Sequence, residues 1–239
     1  MLFAFSDLAS YRIIARDGEV GTPADAVYQP RHWRIRHLAV DLDESARRRP
    51  VLIPPAAIEE IDRTEKNIRL RLNRQQLLDS PDLDIQKRLS RTAERDLLAH
   101  YHLPFYPDAG LQSLSDPGHV SVEALDSLLA RMDAADSESR EHPFPRLRAM
   151  MGETLYADGD KAGTVDDVLI SSEDWHIRQI VVHIGRFLTG NRILVAPHWI
   201  TRLPEEGPGL AVDLTATVLE NSPGFDPAIL PASESVLDE

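Results

Sequence analysis

The sequence contains no cysteine among its 239 residues. This absence excludes a disulfide framework, a thiolate zinc site and a cysteine nucleophile. The sequence also lacks any apolar run approaching the ~20 residues that a membrane-spanning helix needs. The stretch from Met1 to Ser10 has neither a basic region nor a long apolar core, so no signal peptide is expected. These absences together predict a protein of the reducing cytoplasm without a transmembrane segment.

Positive charge is also scarce, since 26 Lys and Arg stand against 39 Asp and Glu and the net charge is −13. A chain so acidic repels phosphate, so we expect no nucleic-acid partner. The basic cluster Arg47 to Arg49 is interpreted as a solvated loop. The hydrophobic share of 42% is that of an ordinary globular protein.

Motifs of catalytic and cofactor sites are missing as well. The sequence has no Gly-x-Gly-x-x-Gly, no Walker loop and no Gly-x-Ser-x-Gly. His100 and His102 form the one close histidine pair, but a zinc site needs three or four converging ligands. We therefore predict that the protein is not an enzyme, and that it has no catalytic residues, no cofactor and no metal site.

An internal repeat organises what is present. Residues from Gly21 to Asp84 match residues from Gly163 to Asp226 at a constant offset of 142 positions, without a gap. The identical pairs include glycine, tryptophan and proline as well as apolar residues. Among them are Gly21/Gly163, Thr22/Thr164, Asp25/Asp167, Trp33/Trp175, Ile35/Ile177, Arg36/Arg178, Val40/Val182, Leu52/Leu194, Pro55/Pro197, Ile58/Ile200, Leu72/Leu214, Ser80-Pro81/Ser222-Pro223 and Asp84/Asp226.

Each copy has the pattern of a small β unit. Short β-rich runs alternate with turn residues, and the alternation in Ile68 to Leu72 and in Leu210 to Leu214 predicts strands with one buried face. Asn73, with Gln76 three positions later, predicts the start of a short helix, and Thr215 is the equivalent residue of the second copy. Five or six such strands are typical of a small barrel or sandwich.

The segment between the copies has helical patterns. Ser90 is a candidate N-cap for a helix extending to about Tyr101. A second amphipathic helix is predicted over residues 121–134, where the apolar side chains follow helical spacing. They are Val122, Leu125, Leu128, Leu129 and Met132. The predicted organisation is a first barrel (1–84), a mostly helical linker (85–142), a second barrel (143–227) and a disordered acidic tail (228–239).

The doubled pattern resembles the PRC-barrel family. The residues that carry the resemblance are Gly-x-x-x-Asp, then Trp-x-Ile-Arg, then Val/Ile-Leu-Ile/Val-x-Pro, in this order in both copies. Ser90-Arg91 and Tyr101-His102-Leu103-Pro104-Phe105-Tyr106 resemble a segment found after the first barrel in bacterial proteins with two such barrels. The resemblance implies a mainly β fold of two PRC-type barrels, the barrel found in the photosynthetic reaction-centre H chain. It does not carry over a function, because a fold does not determine one.

The two copies differ at their hairpins. The second copy keeps Gly185 and Gly190, whereas the first has the run from Glu44 to Pro50 without glycine. His198-Trp199 stands where the first copy has Ala56-Ala57, which makes this end of the second copy bulkier. The divergence predicts that the two copies contact different partners.

Six residues are candidates for partner contacts: Trp33, Arg36, Trp175, Arg178, His198 and Trp199. A large aromatic at a repeated strand position is more often a packing residue than an exposed anchor. The repeated Asp25/Asp167 and Arg36/Arg178 pairs favour structural hydrogen bonds or ion pairs over catalysis, which needs a further base or nucleophile in a cleft.

We expect a non-catalytic protein-binding or scaffold module. It would hold a protein partner on barrel edges or loops, by strand addition or by the Trp-bearing face, or it would self-associate. The alternative is an accessory subunit of a membrane-associated electron-transfer complex, by analogy with the reaction-centre H chain, with peripheral membrane contact. An enzyme or metal protein that uses histidines, among them His100 and His102, is a third hypothesis. The gapless repeat also suggests that the two copies pack about a pseudo-twofold axis.

Overall fold

The structure, a computed structural model, describes residues 1–43, 50–85, 91–103, 145–185 and 191–227. These residues form a mainly β protein with two curled sheets and few helices. The predicted helix at 121–134, the hairpin residues 44–49 and the tail 228–239 lie outside the described residues. The division of the chain at 84 and 143 stays a prediction.

The N-terminal sheet is formed by six strands in the order β5-β4-β3-β2-β7-β6. Its strands are β2 (Arg12–Ala15), β3 (Gly18–Gln29), β4 (Arg34–Leu42), β5 (Val51–Ile53), β6 (Ile58–Asp62) and β7 (Asn67–Leu70). All neighbours are antiparallel except β2 and β7. A glycine is required at position 21, because a Cβ there would lie 2.0 Å from the backbone oxygen of Asp41 on β4.

The C-terminal sheet repeats this order in the second copy as β11-β10-β9-β8-β13-β12. Its strands are β8 (Thr154–Ala157), β9 (Asp160–Ser171), β10 (Ile177–Ile184), β11 (Asn191–Val195), β12 (Ile200–Arg202) and β13 (Leu210–Val212). The strand β1 (Leu2–Ala4) adds to it by pairing with β9. The N-terminus of the chain therefore lies against the second copy, although its residues precede the first.

The short elements between the strands follow the local signals of the sequence. Asn73 and Gln76 form the predicted reciprocal cap of α1 (Arg74–Leu78). The hydroxyl of Thr215 accepts from the N–H of Val218 at the start of α4 (Ala216–Glu220). Short 3-10 turns that begin with proline, Pro55–Ala57 and Pro197–Trp199, follow β5 and β11, because proline cannot continue a ladder.

Two further α-helices are described, and short 3-10 turns also lie at Ser6–Ser10 and Pro204–Glu206. The helix predicted from Ser90 to about Tyr101 is observed as α2 (Arg91–His100). The short helix α3 (Leu147–Met150) precedes β8 and packs against β3 of the first copy. The predicted alternation is also observed, since Ile68, Leu70 and Leu72 are buried whereas Arg69 and Arg71 are exposed.

One continuous apolar core joins both copies. Its fully buried members come from both sheets, and from α2, α3 and the N-terminal segment. They include Phe3, Leu8, Ile13, Tyr28, Leu38, Leu97, Leu147, Leu155, Val168 and Ile180. The shared core supplies apolar contacts that a unit of under about 80 residues cannot provide alone.

A pseudo-twofold axis relates the copies, and it passes between repeat-equivalent residues. Arg34 forms an isolated bridge with His176, which is its equivalent at the offset of 142. On either side, the N–H of Ile35 donates to the carbonyl of Trp175 at 2.8 Å and the N–H of Ile177 donates to the carbonyl of Trp33 at 2.7 Å. These reciprocal bonds bear out the proposed twofold arrangement.

The segments that precede the two copies, at Ala4 and at Arg146, are exchanged: each contacts the sheet of the other copy. Ala4 of β1 pairs with Leu169, and its equivalent Arg146 forms a bridge with Val27, the equivalent of Leu169. In each case the segment preceding one copy lies on the long strand of the other. Each folded half is therefore completed by a short segment that is close in sequence to the other half.

Candidate functional site

The two tryptophans of the repeat lie beside the pseudo-twofold axis. Both have a left-handed backbone, with φ of 50° at Trp33 and 59° at Trp175, a conformation that costs about 1–3 kcal/mol in a non-glycine residue. The carbonyl groups of these two residues accept the bonds that cross the axis. The contacts between the copies therefore hold the strained backbone in place.

The side chains of the tryptophans serve packing. The Trp175 ring is 6% exposed and meets Phe3 edge-on at 6.0 Å between ring centroids. The Trp33 ring is partly buried and stacks on Tyr28 at 5.6 Å. Trp175 therefore offers little surface to a partner, as expected of a packing residue.

Asp25 and Asp167 accept backbone hydrogen bonds from the exchanged segments. Oδ1 of Asp25 accepts from the N–H of Ala26 at 2.8 Å and from the N–H of Arg148 at 3.0 Å. Oδ1 of Asp167 accepts equivalently from the N–H groups of Val168 and Ser6, at 2.7 and 3.1 Å. Burial raises the pKa of Asp25 above its usual value, although these hydrogen bonds act in the opposite direction. The repeated aspartates therefore have a structural role.

The outer face of the N-terminal sheet is covered by α2 and the residue that follows it. Side chains at positions 94, 97, 98 and 101 point inward with exposures of 7%, 0%, 9% and 2%. Nη2 of Arg36 donates to both carboxylate oxygens of Glu94 at 2.6 and 2.7 Å. The Tyr101 hydroxyl donates to Ser80 Oγ at 2.8 Å and lies 3.2 Å from the carbonyl oxygen of Leu52.

Two histidines belong to the same covered face. The His37 ring is 1% exposed, with Nε2 at 3.7 Å from Glu94. Burial lowers the pKa of His37 to about 4, against the attraction of Glu94, and Arg36 lowers it further. Nε2 of His100 lies 2.7 Å from the carbonyl oxygen of Gln76, which attaches α2 to α1. His102 lies at the end of the helix, with Nδ1 3.3 Å from the carbonyl oxygen of Ala99.

The equivalent face of the C-terminal sheet is only partly covered: Leu169 and Val181 are buried with Ala4 and pack against Phe225, whereas other residues are exposed. Leu194, equivalent to Leu52, is 38% exposed, whereas Leu52 is 3% exposed. Val218, equivalent to Gln76, is 50% exposed. The Arg178 side chain, equivalent to the largely buried Arg36, is 50% exposed. The second copy therefore presents an outer face, formed by Arg178, Gln179, Leu194 and Val218, that its counterpart keeps covered.

Arg178 forms an ion pair with an acidic residue close to it in sequence, whereas its equivalent Arg36 pairs with an acidic residue of α2. Its Nη2 forms a short ion pair with Asp174, four positions earlier, and Asp174 also lies 3.1 Å from Nδ1 of His176. Burial acts to raise the pKa of Asp174, but hydrogen bonds from Ser171 and the His176 N–H, with the charges of His176 and Arg178, lower it below its usual value. The first copy has His32 at the position of Asp174, so it lacks this carboxylate.

A second exposed patch lies at Pro197–Trp199. The Trp199 ring is 39% exposed and lies 4.9 Å from the ring of His198, which is also exposed. The equivalent of Trp199 in the first copy, Ala57, is fully buried. Of the six candidate contact residues, His198, Trp199 and Arg178 are therefore exposed, whereas Arg36 and Trp175 are largely buried and Trp33 is partly buried.

Glu94 and His37 are not among the site residues predicted from the sequence. A signal for Glu94 was present, because a carboxylate at the spacing of Leu97, Leu98 and Tyr101 lies on the apolar face of the helix. His37 had no local signal, because its burial depends on a helix that lies more than fifty residues away in sequence.

Among the described residues, no group of three or more His, Asp or Glu could hold a metal ion. No helix in the same part of the chain is long and apolar enough to cross a membrane. No protein-family model matches the sequence, and comparison with curated proteins finds no significant match. The surfaces of the structure therefore provide the observations from which a function can be inferred.

Proposed function

We propose that this chain is a non-catalytic binding module of two PRC-type units that holds a protein partner through the Trp199 patch. The observation that carries the proposal is the exposed pair His198-Trp199 where the first copy has two alanines, Ala57 fully buried. Tryptophan is enriched among the residues that dominate binding energy at protein interfaces. A partly exposed indole beside an imidazole offers such an anchor.

Addition of a partner strand would meet existing contacts at two of the four sheet edges, those of β11 and β5. At the β11 edge, the carbonyl of Arg192 already accepts from the N–H of Phe225 at 2.6 Å. At the β5 edge, the carbonyl of Leu52 is contacted by the Tyr101 hydroxyl. Strand addition needs a row of free edge groups, and these two edges already have contacts from elsewhere in the chain.

Affinity capture with matched variants tests the proposal. The tagged protein, Trp199→Ala and the control Thr201→Ala would be used to capture partners from the native cell, with soluble and membrane fractions kept separate. Binding of the captured protein would then be measured with purified components. Loss of an interface tryptophan is expected to weaken binding by about 2 kcal/mol, roughly 30-fold, because a buried anchor is removed. Thr201→Ala should bind as the unsubstituted protein does.

Three results would contradict the proposal. Equal affinities of Trp199→Ala and the unsubstituted protein would exclude the patch as the contact. Capture of the chain alone would indicate self-association. A partner found only in the membrane fraction, and insensitive to Trp199→Ala, would favour the electron-transfer accessory. Thermal unfolding of both variants confirms that neither substitution disrupts the fold.

A further inference from the structure

The turn between β3 and β4 carries basic side chains that have no acidic partner in the described part of the chain. Arg31, His32 and Arg34 are exposed, and the two arginines form no ion pair with any described residue. We propose that this basic tip, residues 30–34, is a second contact surface that binds an acidic, extended segment of a protein partner. The basic tip is a different surface from the Trp199 patch, and its role does not depend on that patch.

The equivalent turn of the second copy is acidic, and its acids are already paired. Glu173 stands at the position of Arg31, and Asp174 follows it. Glu173 pairs with the N-terminal amine at 3.0 Å, and Asp174 forms an ion pair with Arg178. Among the described residues, no ion pair joins these two acids to the basic tip, although both turns lie beside the axis. The arginines of the tip are therefore available to an acid of another molecule.

The backbone of the basic tip is ordered without a partner. Backbone hydrogen bonds close the turn, and the N–H of Trp33 makes one of them with the carbonyl of Pro30 at 3.3 Å. The carbonyl of Trp33 accepts from the N–H of Ile177 across the axis at 2.7 Å. The ring of Trp33 stacks on the buried Tyr28. Because the turn is already fixed, binding costs less conformational entropy there.

The strand register directs Arg34 away from the core. The N–H groups of Ile35 and Ile177 donate across the axis on either side of the Arg34–His176 bridge. Arg34 and His176 are therefore a non-hydrogen-bonded pair, in which the two side chains are close neighbours on one face. Ile35 is buried, and successive side chains of a strand point to opposite faces, so Arg34 lies on the outer face.

The side chains of the basic tip suit a segment that has carboxylates on both sides of an apolar residue. A guanidinium binds a carboxylate through charge-assisted hydrogen bonds, often two in parallel. Arg31 and Arg34 flank Trp33 in sequence, and the ring of Trp33 is partly exposed between them. Tryptophan and arginine are enriched among the residues that dominate binding energy at protein interfaces.

The net charge of the chain favours a short acidic segment over a larger polyanion. At a net charge of −13, most of the surface repels anions. A nucleic acid or an anionic membrane carries its charge over an area much larger than the basic tip, so it would meet this repulsion as well. A segment of a few acidic residues can contact the tip alone. Repulsion by the remaining surface then favours the orientation in which the segment meets the arginines.

Tryptophan resonances test the proposal, because the full-length chain has three indole groups. The chain is labelled with ¹⁵N-tryptophan, and Trp33→Phe assigns the Trp33 resonance. The probe is the peptide Gly-Ser-Glu-Glu-Leu-Glu-Glu-Ser-Gly, and its counterpart has glutamine in place of each glutamate. The acidic peptide should shift the Trp33 resonance until it saturates and leave the Trp199 resonance in place, whereas the glutamine peptide should shift neither.

Matched variants test the role of the arginines. Arg31→Ala with Arg34→Ala should weaken binding of the acidic peptide at least about tenfold, because two charge-assisted contacts are removed. Arg71→Glu makes the same change in net charge at an exposed arginine that follows β7, and it should bind the peptide as the unsubstituted chain does. An unchanged resonance of the buried Trp175 shows that each variant has folded.

Several results would overturn the proposal. They are the absence of a saturable Trp33 shift, an equal shift with the glutamine peptide, and equal affinities of the double variant and the unsubstituted chain. A shift produced by a thymidine oligonucleotide or by phosphatidylserine vesicles, but not by the peptide, would assign the tip to that anion instead. A Trp33 shift on dilution of the chain alone would assign it to a second copy. The capture experiment with Trp199→Ala is independent of these measurements, so either proposal can fail without the other.

Discussion

His37 shows how one buried side chain makes stability depend on pH. Its ring lies beneath α2 beside Glu94 and Arg36, and burial holds its pKa at about 4, below the ordinary 6.5. Between these two values the unfolded chain binds a proton at this residue and the folded chain does not. The contribution of His37 to stability is therefore complete above about pH 6.5 and is lost as the pH falls toward 4, by on the order of 3 kcal/mol.

His37→Gln should reduce the loss of stability between pH 7 and pH 4, because glutamine does not titrate. Glutamine suits this position, since Gln179 occupies the equivalent place in the second copy. Urea unfolding followed by tryptophan fluorescence at several pH values would give the slope of the free energy of unfolding against pH. Thr201→Ala, which removes no titrating group, is the control and should retain the slope of the unsubstituted protein. An unchanged slope in His37→Gln would show that His37 does not titrate as described.

At the scale of elements, the repeat places one arginine in two environments. Arg36 is largely buried and depends on Glu94 of α2, whereas Arg178 is half-exposed and pairs with Asp174 of its own hairpin. A buried ion pair is costly to break because the remaining charge has no partner. An exposed pair contributes little because solvent screens it. The same substitution should therefore have different consequences in the two copies.

Arg36→Ala should lower the free energy of unfolding by about 3–5 kcal/mol, or detach α2 at a smaller cost. Arg178→Ala should lower it by less than about 1 kcal/mol. Urea unfolding measures both variants, and hydrogen exchange of the amides of residues 91–100 reports whether α2 has detached. Similar costs in the two variants, with α2 still protected in Arg36→Ala, would contradict the role assigned to the Arg36–Glu94 pair.

At the scale of the whole molecule, the exchanged segments make the two halves depend on each other. β1 lies on β9, and the segment at Arg146 lies on β3, where Asp25 and Asp167 accept their backbone N–H groups. The copies also share one apolar core. On separation, the C-terminal half loses β1 and the N-terminal half loses the bridge at Arg146. Both halves lose the two reciprocal hydrogen bonds at the axis and part of the shared core.

Fragments 1–103 and 104–239 should therefore fold poorly alone and recover native structure when mixed. Near-ultraviolet circular dichroism would report tertiary packing, and size-exclusion chromatography would report a one-to-one complex. Substitution of Asp167 by Ala in the second fragment should weaken the complex by about 1–3 kcal/mol, because the N–H of Ser6 loses its acceptor. Cooperative unfolding of either fragment alone, at the temperature of the intact chain, would contradict this interdependence.

Much of the local structure was predictable from the sequence. The alternation at Ile68 to Leu72, the cap at Asn73 and the helix that begins near Ser90 are observed where they were predicted. These features depend on neighbouring residues, because alternation, capping and proline stops act over a few positions. The repeat also predicted a twofold arrangement, since equal sequences fold into equal surfaces.

The sequence by itself determined that the chain is mainly β and that its two halves are alike. Only the tertiary structure decided that β1 joins the second sheet, that Trp175 is buried at the axis, and that α2 covers one outer face while Leu194 remains exposed on the other. The physical reason is the separation in sequence of the residues that make each contact. Strand pairing and helix docking join residues far apart in sequence, and their outcome depends on which surfaces fit together once both copies have formed.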